Sequence, residues 1–408
     1  MPTSRLTPLL ETKLEALRTS GRLKGAETVV WGVVAPRDGK GPRYLLEGYG
    51  EKPFLRMNSN SYLGLSLHSA VLTAEEEAVR HYGAGPGAVR FISGTWAPHV
   101  ALEERLAAFH RREAGMLFSS AYATIMGVLP PLITDKTAVI SDALNHNCII
   151  NAIALARPGE KRIYQHLDLD ELERHLAQVA KTSQRAIIVT DGVFSMRGDH
   201  APLHEIMKLA SAFDTLFSEN VIVVADDSHG VGGFGETGRG TEEVTGSRPV
   251  DLLVATLGKG FGVNGGYVVA SVAIIGFLRE TSPFYIYSNP ITPGEAAAAL
   301  AAVDIVDSPE GRQRLGHLRA MTARFREGLR RLGLETVAGQ HPVVPLMVRD
   351  TDRTARLVAH LRESDVLATG LGYPVVPKGD DEIRFQMSAD HTPADIDEAL
   401  AALEQFFG

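Results

Sequence analysis

Cysteine is almost absent from this sequence. Cys148 is the only one among 408 residues, so a disulfide within the chain is impossible and a reducing compartment, the cytoplasm, is the expected location. The sequence does not open with a positively charged stretch followed by an apolar one, the pattern of a secretion signal. No apolar run approaches the ~18 residues that span a bilayer, and we therefore expect no membrane partner.

Positive charge and aromatic residues are also in short supply. Lysine and arginine together number 41 against 49 aspartates and glutamates, and aromatic residues make up 7% of the chain. The net charge of −8 argues against nucleic acid or an anionic membrane as the main partner. Hydrophobic residues at 44% and charged residues at 22% are ordinary for a globular protein, and the length predicts two to three domains.

Short apolar runs alternate with helical patterns from about residue 60 onward. This alternation predicts βαβ units and a mostly parallel sheet with helices on both faces. The predicted strands lie at 116–118, 138–140, 186–189, 221–225 and 252–255. A leucine rhythm over residues 5–22 predicts an amphipathic N-terminal helix, which needs a partner subunit or the small domain to cover its apolar stripe.

The pattern changes near residue 290. A long helical region is predicted to reach about residue 333, and strands are expected at 343–348 and around 383–385. Thr392 as N-cap, Pro393 at the first helical position and Asp395 as the second member of a capping box mark the start of a last helix. The predicted division is an N-terminal arm (1–59), a large cofactor-binding domain (60–290) and a C-terminal small domain (291–408).

A lysine stands just beyond the end of a predicted buried strand. Lys259 follows the run 252–255 and has glycine on both sides. A lysine against apolar walls loses solvation of its charged form, so its pKa falls and the neutral amine becomes a nucleophile. A second buried strand, 221–225, ends in Asp226. A strand-end acid for the pyridine nitrogen and a lysine for the Schiff base are what a pyridoxal phosphate (PLP) site needs.

Further residues fit the same cofactor. Ser120, Ala121 and Tyr122 follow a predicted strand and precede a helical stretch, so backbone amides at a helix N-terminus can bind the phosphate. Thr256 can add a hydroxyl group. His146 lies just after a strand end and can stack on the ring, although a histidine in this place is also typical of a buried core.

Three other classes of site are less well supported. Residues 230–235 and 260–265 both satisfy G-x-G-x-x-G, but the first runs into more loop and the second into a strand, whereas dinucleotide binding needs a helix there. His200 and His204 lie near Glu205, but not in the order of a zinc protease, and we expect no metal. A serine hydrolase would need a G-x-S-x-G elbow, which the sequence lacks.

Seven short motifs follow one another in the order found in a single family. They are Y-L-G-L at 62–65, V-R-F-I-S-G-T at 89–95, S-D-A-L-N-H at 141–146, T-D-G-V-F-S-M at 190–196, D-D-S-H at 226–229, T-L-G-K at 256–259 and Y-P-V-V-P-K-G at 373–379. On these motifs the chain resembles the α-oxoamine synthases, PLP-dependent enzymes of fold type I. The resemblance extends over nearly the whole chain from about residue 55.

The resemblance carries expectations about fold, activity and assembly. It implies an α/β fold with a mostly parallel seven-stranded sheet in the large domain and a smaller α+β C-terminal domain. It implies condensation of an amino acid with an acyl thioester, from CoA or an acyl carrier, to give an α-aminoketone and CO2, in a homodimer with shared active sites. The alternatives are another fold-type I activity, such as a transaminase or a carbon–carbon lyase, and a non-catalytic partner subunit.

The resemblance also implies roles for individual residues. Lys259 would form the Schiff base, and Asp226 would pair with the pyridine nitrogen. His146 would stack on the ring, with His229 and Ser195 near the phenolic oxygen.

Two segments outside this group are implied as well. Ser288 and Asn289 match residues that reach the phosphate of the neighbouring subunit. Arg384 matches the arginine that binds the substrate carboxylate, for which its planar, forked guanidinium is suited.

The chain departs from the family pattern near the expected substrate. Ser61 stands where the family usually has an asparagine that helps to bind the carboxylate, with Asn60 one residue earlier. Arg197 stands where an aspartate is common, and Asn147-Cys148 replaces the common Ala-Ser pair. These differences leave the identity of the amino acid open.

Overall fold

The structure is a computed structural model that describes residues 3–20, 22–23 and 26–408. Its helices are α1 (Leu6–Thr19), α2 (Ser69–Tyr82), α3 (Ala97–Phe109), α4 (Ala121–Leu132), α5 (Asn147–Ala156), α6 (Leu169–Val179), α7 (Leu203–Phe213), α8 (Thr241–Thr245), α9 (Val272–Thr281), α10 (Pro283–Ile286), α11 (Pro293–Val306), α12 (Pro309–Arg331), α13 (Thr351–Glu363) and α14 (Pro393–Phe407). Its strands are β1 (Val30–Val34), β2 (Arg43–Leu46), β3 (Pro53–Arg56), β4 (Ala114–Phe118), β5 (Thr137–Asp142), β6 (Glu160–Tyr164), β7 (Arg185–Asp191), β8 (Val221–Asp226), β9 (Leu252–Thr256), β10 (Gly266–Ala270), β11 (Val343–Met347), β12 (Val366–Leu367), β13 (Thr369–Leu371) and β14 (Glu382–Gln386).

A seven-stranded sheet forms the centre of the molecule, in the order β4-β10-β9-β8-β7-β5-β6. β10 is antiparallel to both of its neighbours, and the pairs from β9 through β6 are parallel. Alternate residues of the inner strands enter two different cores. On β5, Ala138 and Ile140 pack in the core that contains α6 and α7, whereas Val139 packs in the core that contains α4 and α5. The predicted sheet with helices on both faces is confirmed.

The parallel strands bring their carboxyl ends to one edge of this sheet. β5, β7 and β8 end at Asp142, Asp191 and Asp226, and β9 ends at Thr256. Asp191 and Asp226 are register partners on neighbouring strands. In open α/β sheets, ligands bind at this edge, so the strand ends define where a site can be.

The C-terminal part contains a separate three-stranded sheet, β11-β14-β13. A four-stranded sheet, β1-β2-β3-β12, joins residues 30–56 to the C-terminal part through parallel pairing of β3 with β12. The predicted long helical region is divided at Ser308, which caps α12, and the capping box of α14 at Thr392 and Asp395 is as predicted. The division into three parts with boundaries near 59 and 290 stays a prediction.

The predicted amphipathic N-terminal helix corresponds to α1. Its leucine stripe contacts no core within one chain: Leu9 is 61% exposed, and the helix has no buried residue. β1 is also exposed along most of its length. Among the described residues, no helix combines the length and the apolar character that a membrane crossing requires.

Candidate active site

A cavity opens at the carboxyl edge of the central sheet. Its lining residues come from α4, from the ends of β7 and β8 and the segments after them, from His146 and the start of α5, and from the turn after β9. They are Ala121, Tyr122, His146, Cys148, Asp191, Val193, Ser195, Asp226, Ser228, His229 and Lys259. Seven of the residues predicted from the sequence are therefore together: Ala121, Tyr122, His146, Ser195, Asp226, His229 and Lys259.

Lys259 follows β9 by three residues and is half-buried. The turn that carries it is fixed by Thr256, whose hydroxyl donates to the Gly265 carbonyl (3.1 Å) and accepts from the Gly258 N–H (3.1 Å). Burial lowers the pKa of the Lys259 amine to about 8, and the negative charge of Asp226 opposes that shift. A substantial fraction of the amine is therefore neutral near physiological pH.

Asp226 is buried at the end of β8. Its Oδ1 accepts the N–H of Ser228 at 3.2 Å, and its Oδ2 lies 3.7 Å from the Cys148 thiol. Asp191 lies beside it in register and accepts the His146 N–H at 3.0 Å. Burial and the neighbouring Asp226 raise the pKa of Asp191 well above its usual value. Two buried carboxyl groups therefore lie side by side in the cavity lining.

His146 is the N-cap of α5. Its Nδ1 accepts the Cys148 N–H at 3.2 Å, and this bond fixes the ring at the N-terminus of α5. Partial burial lowers the pKa of His146, with Lys259 adding to the shift and Asp226 opposing it. The imidazole is thus neutral at physiological pH and offers an uncharged flat face for stacking.

His229 follows Asp226 by three residues and is buried. Its Nδ1 lies 2.6 Å from the Tyr62 hydroxyl, and its carbonyl accepts from His341 Nε2 at 2.8 Å. Burial, with Lys259 next in importance, lowers the pKa of His229 well below its usual value. The ring is therefore neutral, and hydrogen bonds hold both its Nδ1 and the backbone carbonyl of the same residue.

The N-terminus of α4 forms one wall. Ser120 is its N-cap and accepts the Ala123 N–H at 3.1 Å, while the first N–H groups of a helix have no intrahelical acceptor. Ala121 and Tyr122, which line the cavity, supply such N–H groups. A Cβ at Gly266 would lie 2.3 Å from the Ala121 nitrogen, so only glycine permits β10 to approach this helix end. An anion such as a phosphate suits this wall.

The residues present fit PLP. Ser228 Oγ is buried in the cavity wall without a hydrogen-bond partner among the described residues, so the site has a polar group that a ligand can satisfy. Lys259, Asp226 and the α4 N-terminus are the three kinds of group that this cofactor requires.

Four of the predicted cofactor residues lie outside the cavity lining: Ser120, which caps α4, Thr256, Ser288 and Asn289. The Thr256 hydroxyl is engaged in the turn before Lys259. Ser288 and Asn289 lie in a partly exposed segment beside Tyr287, which is 79% exposed. Their assignment to the phosphate of a second subunit stays a proposal.

The predicted carboxylate-binding group lies on the C-terminal sheet. Arg384, on β14, donates through Nη2 to Asn60 Oδ1 at 3.2 Å, and its Nε has no partner among the described residues. Ser61 has its hydroxyl 3.3 Å from that of Ser66, while its carbonyl accepts from Ser388. Asn60 thus contacts the arginine directly, and Ser61 does not.

Sequence reasoning did not single out several residues of this site. Asp191 stands at a strand end next to Asp226, and that position could have indicated it. Cys148 packs in the core that contains α4 and α5 and its side chain also lines the cavity; burial and Asp226 raise the pKa of its thiol, which stays protonated. Tyr62 and Ser228 were quoted within motifs without a role.

Comparison with known proteins identifies relatives of this chain. The sequence profile described as "Aminotransferase class I and II" matches residues 52–403. The 8-amino-7-oxononanoate synthase of Citrifermentans bemidjiense is 38% identical over 394 residues, 96% of this chain and 96% of that protein. The mitochondrial 2-amino-3-ketobutyrate coenzyme A ligase of Bos taurus is 36% identical over 401 residues, 98% of this chain and 91% of that protein. The structure of Sphingomonas wittichii serine palmitoyltransferase aligns with a TM-score of 0.88 at 25% identity, over 99% of this chain and 97% of that one.

Proposed function

Because the chain belongs to the aminotransferase class I and II family, we propose how the groups in its cavity carry out its reaction. The protein is a PLP-dependent acyltransferase of the α-oxoamine synthase type. It condenses an amino acid with an acyl thioester and releases an α-aminoketone, CO2 and the free thiol. The observation that carries the assignment is the meeting of Lys259, Asp226 and the N-terminus of α4 in one cavity.

Lys259 is the group that binds the cofactor and moves the proton. Bound PLP supplies an electron sink for a carbanion at the α-carbon of the amino acid. Since the pKa of the Lys259 amine is about 8, the amine can accept the α-proton near neutral pH and return it later. Asp226 would face the pyridine nitrogen and favour its protonated form.

The two histidines contribute without adding charge. Burial keeps both His146 and His229 neutral, so neither adds a positive charge that would further depress the basicity of Lys259. His146 offers its flat face to the ring. His229, fixed by Tyr62, is placed to hydrogen-bond a polar substituent of the bound cofactor.

Arg384 is proposed to bind the carboxylate of the amino acid. Its unpaired Nε can donate to a carboxylate, while its Nη2 donates to Asn60. Asn60 is placed to orient the guanidinium, because it accepts from Nη2. Ser61 is assigned here as a neighbour of the carboxylate site through its contact with Ser388.

A spectral titration tests this function and identifies the substrate. The purified protein is loaded with PLP and titrated with glycine, alanine, serine and threonine, before and after addition of acyl-CoA or acyl carrier protein. We expect the visible band to shift with one amino acid and to change again with a thioester, with release of CO2 and thiol. A protein that exchanges amino groups with a keto acid, and ignores every thioester, would instead be a transaminase.

We further propose that the active unit is a homodimer. The leucine stripe of α1 and the exposed β1 are apolar surfaces that a single chain leaves uncovered. Ser288 and Asn289 do not line the cavity of their own chain, as expected if they complete the phosphate site of a partner. The single cysteine supports a reducing compartment, and we propose the cytoplasm.

Mixing two inactive variants tests shared active sites. A Lys259→Ala chain and an Asn289→Ala chain are unfolded together and refolded, so that mixed dimers form. If Asn289 acts across the interface, one of the two sites in a mixed dimer has both residues intact and activity returns. Activity that never exceeds the sum of the separate variants would show that each site uses its own Asn289.

A further inference from the structure

A buried carboxyl group lies next to the proposed carboxylate-binding arginine. Glu382 is the first residue of β14 and is 2% exposed. Its Oε1 has no hydrogen-bond partner among the described residues. Buried polar groups are almost always paired, so an unpaired carboxyl oxygen in this place requires an explanation.

Glu382 and Arg384 are two residues apart on one strand, so their side chains lie on the same face of the sheet. Arg384 has an unpaired Nε of its own. One unpaired atom is a hydrogen-bond acceptor and the other is a donor, yet the two side chains do not hydrogen-bond to each other. Burial of a carboxyl group whose oxygen accepts no hydrogen bond disfavours its anion, so the protonated form is stabilised relative to a carboxyl group in water.

The other charged groups around Glu382 come from two further segments. Arg197, from the segment between β7 and α7, is partly exposed and is anchored to Asp199 at 2.7 Å. Asp380 precedes β14 and pairs with Arg349 on the surface at 3.1 Å. Arg384 and Arg197 favour the ionised form of Glu382, whereas burial, the largest influence, and Asp380 oppose it.

We propose that Glu382 is a positioning residue whose protonation controls whether Arg384 is available to the carboxylate of the substrate. As a neutral acid it leaves the charge of Arg384 uncompensated, and the guanidinium attracts the incoming carboxylate. As an anion it neutralises Arg384 and competes for the Nε donor. This proposal rests on the role assigned to Arg384 under the proposed function.

The direction of the pH dependence follows from the burial of this side chain. Burial raises the pKa of Glu382 to about 8. Below that pH the acid is neutral and the carboxylate site is open; above it the anion forms and carboxylate affinity falls. Once Glu382 alone controls binding, the dissociation constant rises by up to about tenfold for each further pH unit.

The experiment compares two ligands that differ only in the carboxylate. PLP-loaded protein is titrated with glycine and with glycinamide from pH 6.5 to pH 9.5, with the visible band of the cofactor as the readout of binding. Glycine is chosen because it has no side chain that the site could reject. Titration of the ligand amines and of Lys259 is common to all variants and cancels when the glycine-to-glycinamide ratio is compared between them.

We expect the preference for glycine in the wild-type protein to fall above about pH 8 and to stay level in Glu382→Gln. Asp380→Asn is the matched control: it removes a nearby carboxylate at the surface and should retain the wild-type fall. If the glutamine variant does not fold, Glu382→Met has the same chain length without charge and should give the same level profile.

Two results would overturn the proposal in distinguishable ways. The same fall in the wild type and in Glu382→Gln would reject the role of Glu382 and leave Arg384 as the carboxylate-binding group. No preference for glycine at any pH, with Arg384→Lys binding both ligands like the wild type, would reject the role of Arg384 itself. In that case the carboxylate part of the proposed function fails together with this inference.

Discussion

The two sides of the active site are built in different ways. On the cofactor side, Asp226, Asp191 and His146 are tied by hydrogen bonds to strand ends and a helix cap. On the substrate side, Arg384 and Glu382 each have a buried polar atom with no partner among the described residues. Groups that are hydrogen-bonded to helices and strands are preorganised, whereas unpaired buried groups still have a donor or acceptor that a ligand can bind. The cofactor side is therefore largely fixed before binding, with Ser228 Oγ left unpaired, whereas on the substrate side the charged groups themselves lack a complete set of partners.

The strongest test of the cofactor side is Lys259→Ala. The variant should lose the cofactor band that depends on the amine and at least 10²–10⁴-fold in turnover, because a positioned acid–base group contributes about that much. Lys136→Ala is the control. Lys136 is exposed and precedes β5, at the opposite end of that strand from the cavity, so this variant should behave as wild type. Wild-type turnover by Lys259→Ala would remove the basis of the assignment.

The neighbouring carboxyl groups of Asp226 and Asp191 should contribute unequally to turnover. Asp226→Asn should lower turnover by about 100-fold, since an amide cannot pair with a protonated pyridine nitrogen and a charged hydrogen bond contributes about 1.5–3 kcal/mol. Asp191→Asn should cost less, because burial and Asp226 raise the pKa of Asp191, so the substitution removes less negative charge. The absorbance maximum of bound PLP, measured with turnover, reports the change at the ring. Equal losses in the two variants would contradict this division.

A substitution on the substrate side should change the affinity for the amino acid and leave the binding of PLP unchanged. Arg384→Lys keeps the charge but loses the forked donor, so the dissociation constant for the amino acid should rise about tenfold. The PLP band and the affinity for PLP should stay unchanged, because Arg384 lies outside the residues that would hold the cofactor. A change in PLP affinity of similar size would mean that the two sides are not independent.

The pH dependence of cofactor capture is the mildest test. Only the neutral Lys259 amine attacks the aldehyde of PLP, and the pKa of this amine is lowered to about 8. The capture rate in PLP-free protein should rise about tenfold per unit up to pH 8 and then level off. Stopped-flow absorbance measures it. A rise that continues past pH 10, as for an exposed lysine, would show that burial does not act on Lys259.

Much of the cofactor side could be predicted because its residues follow strand ends. The apolar runs before Asp226 and Lys259 indicated buried parallel strands, and such strands place their carboxyl ends at a common edge. Asp191 was missed although it obeys the same rule. The contact of Cys148 with Asp226 could not be predicted, because nothing in the sequence around Cys148 indicates that α5 would turn its side chain toward that carboxylate.

The substrate side depends on contacts that no local pattern contains. Arg384 and Asn60 are 324 residues apart and meet only because the C-terminal sheet packs near the segment that follows β3. The burial of Glu382 and the separation of Ser61 from the guanidinium have the same origin.

The sequence alone determined the alternating α/β pattern, the lysine and the acid at two strand ends, and the order of the family motifs, because these depend on residue periodicity and neighbours along the chain. The tertiary structure alone decided which carboxyl groups become neighbours and which polar atoms are left without partners. Those properties depend on solvent exclusion and on distances between remote segments, and they set the pKa values of Lys259, Asp191 and Glu382.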